Sequence, residues 1–168
     1  MPISPAYITR LLQIPVFRGL TEAEAAEFFS AATELNVGPG AVLFKEGDAG
    51  DGLLIILEGD VAITRKTVEL AKLPPNSVLG EMSLVGGETR SATAAAIGAV
   101  KVLKVPATAV QAMIAKASPA ALKVVANIAQ VLSKRLAAIN EKFVESYDKT
   151  RKKEELADFG KILNNWSF

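Results

Sequence analysis

Residues 80–96, GEMSLVGGETRSATAAA, place two glutamates, Glu81 and Glu88, and one arginine, Arg90, in a loop of glycines and small residues that runs into an apolar, strand-like segment. Arginine offers a planar fork of donors that matches two phosphate oxygens, and it stays charged at any relevant pH. Gly86, Gly87, Ser91 and Ala92 are small enough for main chain to approach an anion closely. MSLV, between Glu81 and Gly86, is long enough for one helical turn, whose first N–H groups favour negative charge. Ser91 adds a hydroxyl donor beside Arg90. Glu81 has the opposite preference: a phosphate repels it, whereas a sugar hydroxyl donates to a carboxylate. The chemistry that fits is arginine for phosphate and glutamate for sugar. A plain Glu–Arg salt bridge beside turn glycines uses the same residue types, and composition does not separate the two readings.

The elements that must position this loop are short. Residues 5–18 predict a helical lead-in interrupted at Pro15. Thr21 and Glu24 have capping-box spacing, with Leu20 before the cap, and predict a helix over 22–33 with Phe28 and Phe29 on its apolar face. From Leu35 to Val105 the runs AVLF, LLIIL, VAIT, VELAKL, SATAAAI and VKVLKV alternate with GPG, EGDAGDG, EGD, PPNS and GGE. Frequent turn residues between short β-prone runs predict a sandwich or barrel-like sheet, with Gly59-Asp60 as a tight turn. After Pro106 the period changes. ATAVQAMIAKA predicts a short helix, and Ser118 with Pro119 opens a longer one to about Tyr147. Leu122, Val125, Ile128 or Ala129, Leu132, Leu136, Ile139 and Phe143 form one stripe on it. Part of that stripe is expected to pack on the sheet and part to form a seam for a partner helix. The last stretch, 148–168, carries Phe159, Ile162, Leu163, Trp166 and Phe168 and predicts a final short helix that docks.

The totals narrow the chemistry. The 168 residues suit one domain with an appended helix or two, and half of them are hydrophobic. A net charge of +1 disfavours bulk nucleic-acid binding. Cysteine and histidine are both absent, so disulfides, Cys/His zinc sites and Ser-His-Asp or Cys-His catalysis are unavailable. No acidic cluster has ligand spacing, and EGDAGD at 46–51 is too short for an EF-hand loop, so neither a metal site nor an enzyme is expected. No signal peptide or membrane span is read, and a cysteine-free chain fits the cytoplasm.

The loop at 80–96 resembles the phosphate-binding cassette of cyclic nucleotide-binding domains. The Gly-Glu pair at 80–81, the nine-residue step to Arg90 and the Arg-Ser-Ala run at 90–92 carry the likeness. IPVFRGLTEAEAAEF at 14–28 resembles the family's helical entry. VLFKEGDAGDGLLIILEGDVAIT at 42–64 resembles its first strands. KRLAAINEKF at 134–143 resembles the long helix of the catabolite activator protein branch, which stands beside the protein kinase A regulatory subunit type. The likeness covers about residues 10–145. It departs in PPNSVLGE, where Asn76 stands in place of a glycine and Leu79 in place of an aromatic; asparagine tolerates the left-handed conformation.

The resemblance implies an α+β fold, an eight-stranded antiparallel β-roll (jelly-roll-like) flanked by N-terminal helices and by a short and then a long C-terminal helix. The domain would span 1–147, with 148–168 as a helical extension. Gly80 would shape the turn, Glu81 would accept from the ribose 2′-hydroxyl, and Arg90 would pair with the cyclic phosphate. Ser91 and the Ala92 N–H would also touch the phosphate, and main chain at Met82 and Ser83 would lie by the sugar. Ile139 and Asn140 fall where the activator branch contacts adenine. Serine rather than threonine after Arg90 favours cAMP, with cGMP open. Too few residues follow Tyr147 for a winged helix-turn-helix, so the expectation is a stand-alone receiver that does not bind DNA. It would signal to an unidentified effector protein or a second copy through its long helix. A module of the same fold that has lost its ligand is the alternative.

Overall fold

The computed structural model describes residues 5–87 and 89–150. The chain divides into two compact units, residues 1–129 and 130–168. The first holds α1 (Pro5–Leu11), a 3-10 turn (Pro15–Phe17) and α2 (Glu22–Phe28), followed by β1 (Thr33–Val37), β2 (Val42–Phe44) and β3 (Gly52–Glu58). β4 (Val61–Arg65), β5 (Val68–Leu73), β6 (Val78–Leu79), α3 (Glu81–Gly86), β7 (Thr93–Ala96), β8 (Val100–Pro106) and α4 (Ala107–Ala115) complete it. A last helix, α5 (Pro119–Thr150), begins in the first unit and supplies the described part of the second.

The eight strands make two four-stranded sheets, ordered β1-β8-β3-β6 and β2-β7-β4-β5, and every pairing is antiparallel. Their inner faces share one apolar core. Leu54, Ile56, Leu79, Val100 and Val102 come from the first sheet, and Val61, Ala94 and Ala96 from the second. β3 explains why LLIIL does not alternate in hydropathy. Leu54 and Ile56 face the other sheet, while Leu53 and Ile55 pair with Val105 and Leu103 on the side where α4 packs on β3 and β8. A strand covered on both faces is apolar throughout.

The expected architecture is therefore present, with two local differences. α2 ends at Phe28, not Thr33, and TELNV becomes β1. Phe28 and Phe29 both turn inward, their ring centroids 5.8 and 5.0 Å from that of Phe17. Register from Thr33↔Lys104 to Val37↔Val100 then recruits the next residues into the sheet. Non-local pairing overrides a local helical pattern. β6 is the second difference, a two-residue strand that no run of β-formers announces.

α5 divides its apolar residues between two jobs. Ala121, Val124 and Ile128 are fully buried, and Lys123 donates to Glu24 at 2.7 Å and to the Gly19 carbonyl. The Asn127 amide donates to the carbonyls of Val16 and Arg18 at 3.1 and 2.8 Å. Leu122, on the expected stripe, is exposed instead, because the small Ala120 and Ala121 let the helix approach on the adjoining face. Further along, Leu136 and Ile139 are exposed as well. The docking helix expected beyond residue 150 lies outside the described residues.

Candidate functional site

The site begins with a backbone turn. β6 is tied to β3 at Leu54↔Leu79 and Ile55↔Val78, and the turn before it is closed by Asn76 N–H to the Ile56 carbonyl, 2.8 Å. Asn76 has φ +70°, the left-handed conformation expected of a residue standing where a glycine would serve. Gly80 then leaves β6 at φ +81°, and its carbonyl accepts the Leu84 N–H, which opens α3. Only glycine fits here. A Cβ on Gly80 would stand 1.9 Å from Arg90 Nη1 and 2.6 Å from the Gly52 carbonyl oxygen. Glu81 is the first residue of α3 and 7% exposed, so its carboxylate sits at the positive end of the helix turn.

Arg90 arrives from the other side of the loop. Its N–H donates to the Asp48 carbonyl and its carbonyl accepts from Gly47, both at 2.8 Å. EGDAGD is thus a turn, as its composition predicts, and its carboxylates are committed: Asp48 caps the Lys45 N–H, and Asp51 receives Arg90 and Lys104. The arginine is 3% exposed. Its Nη2 donates to Asp51 Oδ1 at 2.7 Å and to the Gly52 carbonyl at 2.9 Å, and Cζ lies 4.4 Å from the centroid of the Phe44 ring. Nε and Nη1 are buried with no hydrogen-bond partner among the described residues.

That last fact bears on the readings the sequence left open. A buried donor without an acceptor costs about 1–3 kcal/mol, more when charged, and native chains rarely keep one without a use. The salt bridge of Arg90 is made with Asp51 through Nη2, and it leaves two other nitrogens of the guanidinium waiting for an acceptor. Nε and Nη1 do not share an edge of the guanidinium, so any oxyanion that takes two adjacent donors must use Nη2 and compete with Asp51.

Of the residues singled out in sequence, Gly80, Glu81 and Arg90 converge, and Ala92 is buried just before β7. Met82 and Ser83 lie in α3, with Met82 49% exposed, and Ser91 is exposed beside Arg90. Asn140 is on α5 in the second unit, outside the residues that the first unit gathers. Sequence reasoning passed over Asp51, Gly52, Lys104 and Phe44. The available signal was an acid directly before a strand apolar on both faces, where a partner cation is required.

Asp51 also carries a pH dependence. Partial burial pushes its carboxyl up, but hydrogen bonds from Lys104 and Arg90 outweigh that and hold it below the usual carboxylate range. A depressed folded value means that the stabilisation is present above the unfolded value, about 3.9, and is lost as pH falls through the folded one. Its side chain is 57% exposed, so the contribution is about 1 kcal/mol or less. Thermal midpoints of wild type and Asp51→Asn are expected to converge as pH drops below about 4. A difference that stays constant down to the acid limit would contradict the pairing.

The comparisons with known proteins agree with the geometry. The pattern of the family described as cyclic nucleotide-binding domain matches residues 34–117, half of the chain. A cyclic nucleotide-gated potassium channel of Mesorhizobium japonicum is 34% identical over 106 residues, which is 63% of this chain and 29% of the channel. The cAMP-dependent protein kinase regulatory subunit of Dictyostelium discoideum is 30% identical over 99 residues, 54% of this chain and 30% of that protein. The crystal structure of the N-terminal domain of a transcriptional regulator from Streptomyces coelicolor is 30% identical with a TM-score of 0.67, over 77% of this chain and 94% of that one. cGMP-dependent protein kinases occur among the relatives too. This chain belongs to the cyclic nucleotide-binding domain family, as its β-roll and cassette loop indicate. It spans about three-tenths of the length of those two curated relatives. No single helix among the described residues is long and apolar enough to cross a membrane.

Proposed function

We propose that the chain is a receiver for a purine 3′,5′-cyclic nucleotide, cAMP in preference to cGMP, and that it binds without catalysing. The observation that carries this is the buried Arg90 with Nε and Nη1 unpartnered among the described residues. The cyclic phosphate supplies the missing acceptors and draws Nη2 from Asp51, which keeps Lys104. Glu81 accepts from the ribose 2′-hydroxyl, main chain at Met82 and Ser83 borders the sugar, and Ser91 with the Ala92 N–H completes the phosphate contacts. The preference for cAMP rests on serine, not threonine, at position 91.

Transmission would run through α5. Leu122, Val125, Ala129, Leu132, Leu136, Ile139 and Phe143 recur at steps of three and four, a heptad seam, and Ile139 is 62% exposed. A seam of this kind suits a second copy or an effector helix, and ligand closure at the cassette would shift its availability.

Calorimetric titration of ligand-free protein with cAMP and, separately, cGMP tests the reading, with sedimentation of the same samples reporting on the seam. Tight binding of cAMP, weaker binding of cGMP and a ligand-dependent change in sedimentation are expected. Absence of heat with both nucleotides would overturn the receiver assignment, and a monomer indifferent to ligand would overturn self-association through α5.

A further inference from the structure

We propose that Phe44 is a positioning residue for the anion site, holding the Arg90 guanidinium so that Nη2 and a neighbouring donor meet the incoming oxyanion. The proposal rests on the cyclic nucleotide reading above for its ligand, and on three features of the fold for its geometry.

The first is the contact itself. Arg90 Cζ lies 4.4 Å from the Phe44 ring centroid, within the range where an aromatic face attracts a cation. The side chain of Arg90 is only 1% exposed, so the attraction acts with little solvent screening. Two hydrogen bonds on Nη2, to Asp51 and to the Gly52 carbonyl, fix one corner of the guanidinium but leave it free to tilt about that corner. The Phe44 ring, 4.4 Å from Cζ, opposes that tilt.

The second is how Phe44 is aimed. Phe44 sits opposite Ala94 on β7, and the β2–β7 register shifts between Val42 and Phe44. An irregularity of this kind re-aims a side chain relative to regular alternation. Ala94 has no bulk to fill the space, so the ring packs against the inter-sheet core while remaining only half-buried.

The third is mechanical. Phe44 is followed directly by the turn that clamps Arg90 by its backbone, through Arg90 N–H to the Asp48 carbonyl and Gly47 N–H to the Arg90 carbonyl. Ring and arginine are therefore held by one short loop, and a cassette movement carries both together. When the oxyanion draws Nη2 from Asp51, the ring is the contact that does not have to be exchanged.

Phe44→Leu and Phe44→Met keep an apolar group of similar size, and Phe44→Tyr keeps the aromatic face. Calorimetric titration with cAMP is expected to show a loss of about threefold to thirtyfold for Leu and Met and near wild-type affinity for Tyr. A role in packing alone would leave Leu and Met equal to Tyr and would sink the proposal. A ligand-independent reading accompanies it. In the ligand-free protein the Arg90 side-chain proton resonances are expected to be displaced by the ring current in wild type and Phe44→Tyr, and to return to ordinary positions in Phe44→Leu. Wild type with no cAMP heat but a displaced Arg90 signal would refute the nucleotide and leave the ring–arginine contact standing as the holder of the site for another oxyanion. An undisplaced signal in wild type would refute the contact whatever the ligand does.

Discussion

Arg90→Ala is expected to weaken cyclic nucleotide binding by about tenfold to more than a hundredfold. Charge-assisted hydrogen bonds contribute roughly 1.5–3 kcal/mol, and a bidentate arrangement loses them together. The environment of Arg90 places it at the strong end of that range: the side chain is buried, and two of its nitrogens lack acceptors among the described residues. Arg90→Lys should recover only part of the loss, because an ammonium is a point charge without the planar fork and is poorly matched to the Phe44 face. The fold should tolerate the alanine. Asp51 would keep Lys104 and is largely solvated, so no buried charge is stranded, unlike the usual case when one half of a buried pair is removed. Titration with cAMP alongside a thermal melt separates the two effects. Equal affinity in wild type and Arg90→Ala would remove the phosphate assignment altogether.

Gly80→Ala is expected to damage both stability and binding, for a reason no side-chain contact list would reveal. At φ +81° an L-residue costs roughly 1–2 kcal/mol in backbone strain alone. The new methyl would then stand 1.9 Å from Arg90 Nη1 and 2.6 Å from the Gly52 carbonyl oxygen. Arg90, being a side chain, can be displaced where the Gly52 main chain cannot. Its own position is as tight: a Cβ on Gly52 would meet the Val105 carbonyl oxygen at 2.2 Å. The strain therefore moves the arginine, and affinity should fall toward that of Arg90→Ala while the urea midpoint drops by an amount equivalent to at least ~1 kcal/mol. A Gly80→Ala protein with unaltered melting and unaltered cAMP affinity would show that the left-handed turn is not what presents Arg90.

How much of this was legible in the residues varies with the range of the interaction. Capping chemistry was fully local: Thr21 and Glu24 bond reciprocally, Thr21 Oγ1 accepting at 3.2 Å and Glu24 Oε2 at 2.8 Å, as their spacing predicts. Asn76 in the left-handed region, Gly59 in a tight turn at φ +79° and a single helical turn after Gly80 are local as well. The end of α2 was not. AAT reads as the end of the helix until β8 offers Thr33–Val37 a partner some seventy residues away. The buried face of α5 was read one residue out of phase, since Leu122 is apolar yet exposed and Ala121 small yet buried.

By itself, then, the sequence determined the family and marked Glu81 and Arg90 in the cassette, because glycine positions, residue sizes and a fixed nine-residue step are properties of a short stretch of chain. The tertiary structure alone decided how Arg90 is held. Asp51 and Gly52 come from thirty-nine and thirty-eight residues away, Lys104 from β8, and Phe44 from a strand whose register shifts to aim it. A guanidinium buried with part of its donors satisfied and part unsatisfied is the sum of those distant contacts. No local pattern encodes such a sum, since each partner is chosen by sheet pairing and not by proximity along the chain.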